Sequence, residues 1–394
     1  QIFGYLSLFF KKKWLFRTRF PKIISKQLRT SSELTEKPIE LKLRSPCFSS
    51  DAGEIVNSRF TFINQVACLG KPVDWVADEM PRLWRYNLHY FDWMWSLRPG
   101  KNGDWENARQ FIQDWIDHHP PSEGAEGWEP YPCSLRLINW SVLVGLRYRE
   151  ELLDDPPFQR FFLESIEQQA RWLSKNLEIH IQANHLLENL AALTCVAAVF
   201  EGPFCDLFRD RVTSMLEREL TEQVLPDGMH YERSPMYHLR VLWVVELLSQ
   251  LGNPQVSVLA EMSLTHMRQA LAHLRHPDGE IALLNDASLG IYQDYWQSEP
   301  SFGPWSLPDA GYYGYRDKDG SYLIVDAGAI GPDHQPGHAH ADYLSFELSM
   351  HGHRMITDTG IGTYDTGGRR SYDRSTAAHS TVEIAGQNSA EVWG

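Results

Sequence analysis

Gly337-His-Ala-His-Ala-Asp-Tyr-Leu-Ser-Phe346 sets His338, His340 and Asp342 at alternating positions. Alternate side chains of an extended chain share one face, so two imidazoles and a carboxylate are expected together on one side of a strand. The stretch also lies beyond the point where the pattern of the chain changes. From about residue 83 to residue 275 the apolar residues recur at helical spacing. From about residue 310 the apolar runs are short, β-rich and separated by turns such as Lys318-Asp-Gly320 and Met350-His-Gly-His353. An all-helical region followed by an antiparallel β region is therefore expected, with the boundary between residues 275 and 310. The histidine-bearing stretch of the second region is the candidate chemical centre.

Upstream, the spacing predicts helices over Leu83–Leu97, Trp105–Asp117, Ser134–Glu150, Pro157–Asn176, Asn184–Phe200, Cys205–Gln223, Pro235–Leu251 and Pro254–His273. Their lengths and short polar connections suit antiparallel helical hairpins. Strands are predicted over Arg59–Ile63, Tyr312–Tyr315, Ser321–Asp326, Tyr343–Met350, Met355–Thr357 and Thr381–Ile384. The division that follows is an N-terminal arm at 1–54, a helical domain at 55–300 and a β domain at 301–394. The β part is short for a closed sandwich, so the chain is expected to stop within its second domain.

Composition narrows the function. A formal charge of −14 argues against a nucleic-acid binder, which needs a basic surface. It leaves room for an anionic polymer, because a cleft can be locally basic on an acidic protein. Fourteen Trp, sixteen Tyr and eighteen Phe are many; most are expected in the core, and a surplus of Trp also suits a groove in which flat rings stack on sugars. Cys47, Cys68, Cys133, Cys195 and Cys205 are scattered with no CxxC spacing, which excludes a cysteine zinc site or a disulfide framework. The apolar run Ile2–Phe10 precedes Lys11-Lys-Lys13, the reverse of a signal peptide's order. No run approaches the roughly eighteen apolar residues of a membrane span.

Further constellations are judged by whether they converge on the histidines. Asp358 and His379 each end a β-like segment. With one histidine of the pair they form a two-imidazole, one-carboxylate set that suits zinc; a buried hydrogen-bonded cluster is the alternative. In Gln182-Ala-Asn-His-Leu-Leu-Glu-Asn189, Asn184 precedes an apolar helical run and reads as a helix cap, with Glu188 facing solvent or the first turn. In Asp227-Gly-Met-His-Tyr-Glu-Arg-Ser-Pro-Met-Tyr-His238, Ser234-Pro235 starts a helix with Tyr237 on its first turn. Tyr237 is either an interface aromatic or an acid/base group. Arg369-Arg-Ser-Tyr-Asp-Arg374 is a solvated loop or an oxyanion clamp. Trp128–Trp140, with Arg136 and Asn139, is a groove wall or a well-packed helix start.

Seven of these segments, taken in order, resemble the heparinase II/III-like polysaccharide lyases, which include alginate and oligoalginate lyases. They are Asn87–Trp93, Ser134–Trp140, Ala183–Asn189, Glu232–His238, Gly337–Phe346, Asp358–Gly360 and Ala378–Val382. The resemblance covers roughly residues 55–394. It implies an incomplete (α/α) toroid followed by an antiparallel β-sandwich, here truncated at the C-terminus, with a cleft between them. It implies β-elimination of a uronic-acid-containing polysaccharide, with Asn184, Tyr237 and His338 as catalytic residues. His340, Asp358 and His379 would hold a structural zinc, and His185 and Tyr372 would be secondary substrate-binding residues; Arg136 and Arg374 are candidate substrate contacts from their own segments. It further implies an acidic polysaccharide as partner and a periplasmic or secreted bacterial setting; oligomeric state is not legible.

Three rivals differ in what they require. A metal-dependent amidohydrolase carries its HxH at the start of a barrel, whereas only 54 residues follow His340. A glycoside hydrolase of the helical-toroid type needs a carboxylate pair across the cleft, drawn from Glu188, Asp227 or Glu232. A glycan-binding or polysaccharide assembly and export protein on the same scaffold needs no catalytic set.

Overall fold

The computed structural model describes residues 33–392, apart from residues 37, 38, 49, 102, 123 and 297. The Ile2–Phe10 run and the lysines after it lie outside the described residues. The long helices are Arg82–Tyr90, Asp104–His118, Pro130–Trp140, Pro156–Leu173, Ala183–Val199, Arg209–Gln223, Pro235–Leu251 and Pro254–Leu274. Several start where local chemistry says they should. Asp155, Ser234 and Asn253 each cap the first turn through a side-chain oxygen, and each is followed by proline at the first helical position.

Three of the predicted helices are broken, Cys205–Gln223 among them, which divides into Pro203–Asp206 and Arg209–Gln223. Leu83–Leu97 stops at Tyr90 because Phe91 takes a left-handed conformation, and a 3₁₀ turn follows over Asp92–Ser96. Ser134–Glu150 passes at Ser141 into a π-helical segment, Ser141–Arg147. Cβ atoms added at Gly145 would meet Val199 Cγ1 at 2.5 Å, so the bare glycine lets the Phe200 end of a neighbouring helix approach.

The helices enclose an apolar core in which Trp84, Trp115, Trp140, Trp243, Phe91 and Phe162 are fully buried. Much of the aromatic surplus is thus core rather than groove. The described part of the arm lies along this region: Glu33–Leu34 pairs with Phe200–Glu201, and Cys47 bridges to Tyr292.

Downstream, Gly303–Leu307, Tyr312–Arg316, Tyr322–Asp326, Phe346–Met350 and His353–Ile356 form one antiparallel sheet in chain order. Trp305, Tyr312, Tyr322 and Ile324 on its inner face pack with Met229, Ala270, Leu274, Ala282 and Leu284. The sheet is therefore seated on the helical part. Its other face exposes Tyr313, Tyr315 and Met355. The described residues hold one layer of the expected sandwich.

Two strand expectations fail. Thr381–Ile384 forms no strand; it leaves Val382 and Ile384 exposed, with an isolated bridge between Ile384 and Gln387. The Gly337–Ser345 stretch is an irregular loop of turns and bends leading into the strand at Phe346. The backbone there is tied to other segments instead of to a neighbouring strand. Asp286 N donates to His338 O (3.0 Å), His340 N donates to Asn285 Oδ1 (3.0 Å), and Ala341 N donates to Arg374 O (3.0 Å).

Candidate active site

Tyr237 and His338 meet at the junction of helices and sheet. Their rings stack with centroids 3.7 Å apart and planes 14° from parallel. The encounter is fixed by shared backbone partners. The Ser234 hydroxyl accepts from Tyr237 N and donates to Asp286 O (2.7 Å), and Asp286 N in turn holds the carbonyl of His338. One cap residue therefore registers the Tyr237 helix against the histidine loop. Strained backbone gathers here too: Arg233, Asn285 and Leu344 are non-glycine residues in the left-handed region.

Around the stack the polar groups are mostly buried. The Tyr237 hydroxyl donates to the Tyr364 hydroxyl (3.0 Å). Burial, helped by Tyr364, Tyr292 and Asp286, pushes the Tyr237 phenol well above its usual range, so it stays protonated. His338 Nδ1 lies 2.7 Å from Glu232 Oε1, at ion-pair distance, although its N–H is not aligned for a hydrogen bond. Burial alone would raise the Glu232 carboxyl; the charge and proximity of His338, with His230 and His185 beyond, bring it below its ordinary value.

Asn184 stands on the adjoining Ala183–Val199 helix, and it is no cap. Gln182 and Ala183 before it have positive φ, and the Asn184 amide points inward. Its Nδ2 donates to the Tyr131 hydroxyl (3.2 Å) and, at 3.4 Å, to Glu188 Oε1. Its Oδ1 is buried without a partner. Glu188 is far from solvent: Tyr131 donates to Oε1 (2.8 Å), and Arg240 donates to Oε2 through Nε (2.9 Å) and Nη2. His185 stacks on Tyr131 (4.2 Å) with Nδ1 3.1 Å from Glu178 Oε1. Burial opposes the imidazolium, but Glu178, with Glu188 and Glu232 farther off, raises the His185 pKa above its ordinary value.

His340, Asp342, Asp358 and His379 form a second buried group behind the stack. The polar residues of the loop do not share one face as a strand would require: His338 faces Glu232, His340 faces Asp286, and Asp342 Oδ2 is buried with no partner among the described residues. His340 Nε2 lies 2.8 Å from Asp286 Oδ1, and Asp286 also receives both Nη atoms of Arg370 (2.6 and 2.9 Å). His379 Nδ1 lies 2.7 Å from Asp358 Oδ2. The His340 and His379 rings are 5.2 Å apart, and His340 Nδ1 and His379 Nε2 are both buried and partnerless. Each imidazole thus has one nitrogen oriented by a carboxylate and one left over, which fits two nitrogen ligands of a metal ion. Asp358 fits less well as the third ligand. Its Oδ2 engages His379 and its Oδ1 accepts from Gly360 N (3.0 Å). Among the described residues, no three such side chains stand in metal-binding geometry.

Two family models divide the chain between them: Heparinase II/III N-terminus over residues 25–296, and Heparinase II/III-like, C-terminal, over residues 299–394. The chain belongs to the heparinase II/III-like family. A heparin-sulfate lyase of Pedobacter heparinus is 25% identical over 375 residues, covering 81% of this chain and 55% of its own length. FtsZ-localized protein C of Caulobacter vibrioides is 26% identical over 325 residues, covering 80% of this chain and 54% of its own. The chain spans about half the length of these relatives. In fold it is similar to heparan sulfate lyase HepC from Pedobacter heparinus, with a TM-score of 0.55 at 21% identity, covering 86% of this chain and 60% of that one. A heparinase III structure gives a TM-score of 0.66 at 18% identity, covering 80% and 57% of the two chains.

Within this heparinase II/III-like chain, three of the expected substrate contacts lie elsewhere. Arg136 is fully buried beneath Trp115 (3.9 Å to the ring), with Nε donating to Gln169 (2.8 Å). Burial lowers its pKa to about 10, and it is a core residue. Arg374 is buried and donates to Ala339 O (2.9 and 2.8 Å) and Pro336 O (3.1 Å), so it holds the histidine loop. Tyr372 is half exposed, and the tyrosine that hydrogen-bonds with Tyr237 is Tyr364. Glu232 enters the sequence reading within Glu232–His238 and as a hydrolase carboxylate, and Arg370 within Arg369–Arg374; Tyr364 and Asp286 do not enter it. Tyr364 lies in a Gly- and Thr-rich loop, and Asp286 follows Leu-Leu-Asn; neither setting marks a site.

Proposed function

We propose that this chain carries the cleft of a polysaccharide lyase that cleaves a uronic-acid-containing polysaccharide by β-elimination. The observation that carries the reading is the Tyr237–His338 stack, a phenol from the helical part against an imidazole from the β part. Its ordering by Ser234 and Asp286 supports a preorganised pair.

In this reaction the C5–H and C4–O bonds break, a C4=C5 double bond forms, and the leaving oxygen takes a proton. The uronate carboxylate must be neutralised for C5 to lose its proton. Asn184 would turn the amide N–H of its 3.4 Å contact with Glu188 toward the uronate carboxylate, and His185, whose pKa Glu178 raises, follows it on the same helix. Tyr237, held as a neutral phenol, is suited to donate to the C4 oxygen and to be re-protonated from Tyr364. His338, with Nδ1 facing Glu232, has Nε2 for the C5 proton, and Glu232 stabilises the imidazolium that forms. A zinc ion bound by His340 and His379 would brace the wall behind His338 and is assigned no step.

The carboxylates argue against hydrolysis. Glu188 is held by Arg240, Tyr131 and Asn184, and Asp227 accepts from Met229 N (3.0 Å) and Ala310 N (2.8 Å). That leaves Glu232 without an opposing acid. The non-catalytic scaffold reading draws on one finding, the relative named FtsZ-localized protein C. A panel of heparan sulfate, heparin, alginate and a bacterial exopolysaccharide, followed by ultraviolet absorbance, separates the three. A rise in absorbance with a uronate polymer is the expected result. Reducing ends released without absorbance mean hydrolysis, and binding without either means a scaffold.

A further inference from the structure

Leu41, Arg44, Glu246, Arg268, Tyr295 and Trp296 line a recess of about 600 Å³ on the helical part. None of these residues belongs to the stack or the carboxylate groups around it. Glu246 stands nine residues beyond Tyr237 on the Pro235–Leu251 helix, about 14 Å along its axis.

The recess is built from fixed parts. Glu246 Oε2 accepts from the Tyr295 hydroxyl (2.9 Å) and the Trp296 indole N–H (3.0 Å), and Oε1 accepts from Arg268 (3.1 Å). The Tyr295 and Trp296 rings stack at 4.2 Å. One wall is the arm segment around Lys42, also in the lining. Its backbone is pinned by Gln250, which accepts from Lys42 N (2.7 Å) and donates to Lys42 O (3.2 Å), and by Trp243, which donates to Arg44 O (2.9 Å). With the backbone held, the Lys42 and Arg44 side chains project to solvent. Arg44 lies 5.4 Å over the Tyr295 ring. Neither cation has an ion pair among the described residues.

Charge decides what such a recess takes. Its lining carries Lys42, Arg44 and Arg268 against the single carboxylate of Glu246, and that carboxylate is already occupied. The surplus is positive on a chain whose formal charge is −14. A recess of this size suits a few sugar rings, and its rim cations suit oxyanions on them.

We propose that the recess is an accessory site for the carboxylate or sulfate groups of an acidic saccharide chain, separate from the cleft. The ligand class rests on the lyase reading, but the site does not act in turnover, so binding tests it independently. Calorimetry in a Tyr237→Phe background would compare a heparan sulfate hexasaccharide, an alginate hexasaccharide and polyphosphate, with and without Lys42→Ala/Arg44→Ala. Two saccharide sites are expected in the parent. In the double variant one of them weakens about tenfold or more, the loss of two exposed charge contacts. Preference for the sulfated or the uronate oligomer names the oxyanion. Unchanged saccharide binding in the double variant overturns the proposal, as does polyphosphate binding equal to that of the saccharides. Both substituted side chains are exposed, so an unfolding midpoint like the parent's accompanies either result. Absence of unsaturated product from the unsubstituted chain sinks the lyase reading and leaves this measurement intact.

Discussion

At the scale of single residues, Tyr237 is defined by what burial does to a phenol. Taking it out of water and setting it beside Tyr364 keeps its proton on, which in the proposed reaction suits it to give a proton. Tyr237→Phe keeps the ring stacked on His338 and removes only the hydroxyl. Turnover should fall by about 10²–10⁴-fold, the range for a lost general acid, while saccharide affinity stays near that of the parent. Ultraviolet rate and calorimetric affinity measured on one preparation check both halves; full activity would remove Tyr237 from the chemistry. His185 gives a pH prediction whose sign follows from Glu178. Its folded pKa is raised above the ordinary 6.5, so its pairing stabilises the fold fully below the unfolded value and fades as pH rises through the raised one. The stability difference between the parent and His185→Gln should be larger at about pH 5 than at about pH 9, as read from urea unfolding. A difference independent of pH would mean that the pair with Glu178 does not act through charge.

At the scale of elements, the histidine loop is held less by its own sequence than by Asp286 and Arg374. Asp286 is fully buried. Burial would raise its carboxyl, but hydrogen bonds from His340 and Arg370 overcome that and lower it. Asp286→Ala leaves Arg370 and His340 facing each other without their acid and should cost about 3–5 kcal/mol, as breaking a buried ion pair does. Denaturant unfolding measures the loss, and a change below about 1 kcal/mol would mean that water replaces the carboxylate. The same element shows why the sequence was read unevenly. Helix starts at Asp155-Pro156, Ser234-Pro235 and Asn253-Pro254 were legible because cap and proline act on their own turn. The alternating histidines were read as a strand because period two is also local. Their true conformation depends on Asn285, Asp286 and Arg374, which are distant in sequence and carry no pattern pointing to residue 338. Arg136 failed for the same reason. Among aromatics it reads as a groove residue, and only the packing of Trp115 and Gln169 around it makes it core.

At the scale of the whole molecule, a cleft between helices and sheet keeps its shape only if the two parts do not move independently. Beyond the apolar contact through Trp305, Tyr312 and Tyr322, hydrogen bonds such as Tyr322 OH to His273 O (2.7 Å) join them, and a buried knot of such links centres on Glu347. His276, just past the last long helix, lies 2.7 Å from Glu347 through Nε2 and 2.7 Å from the Ser349 hydroxyl through Nδ1, both on a central strand. Glu347 also accepts from Leu283 N (3.2 Å) and Asp358 N (2.6 Å), so one carboxylate ties the linker, the sheet and the segment bearing His379's partner. Glu347→Ala strands a buried imidazole and two backbone amides at once, and should cost about 3–5 kcal/mol. If the knot makes one cooperative unit, far-ultraviolet dichroism, dominated by the helices, and the amide-exchange protection of the sheet strands should shift to lower urea together. Glu347→Gln, which keeps an acceptor for one amide, should recover part of the loss. Two separated transitions in Glu347→Ala, with the helical one unmoved, would mean that the sheet is merely docked and that the meeting of Tyr237 with His338 does not depend on the Glu347 knot.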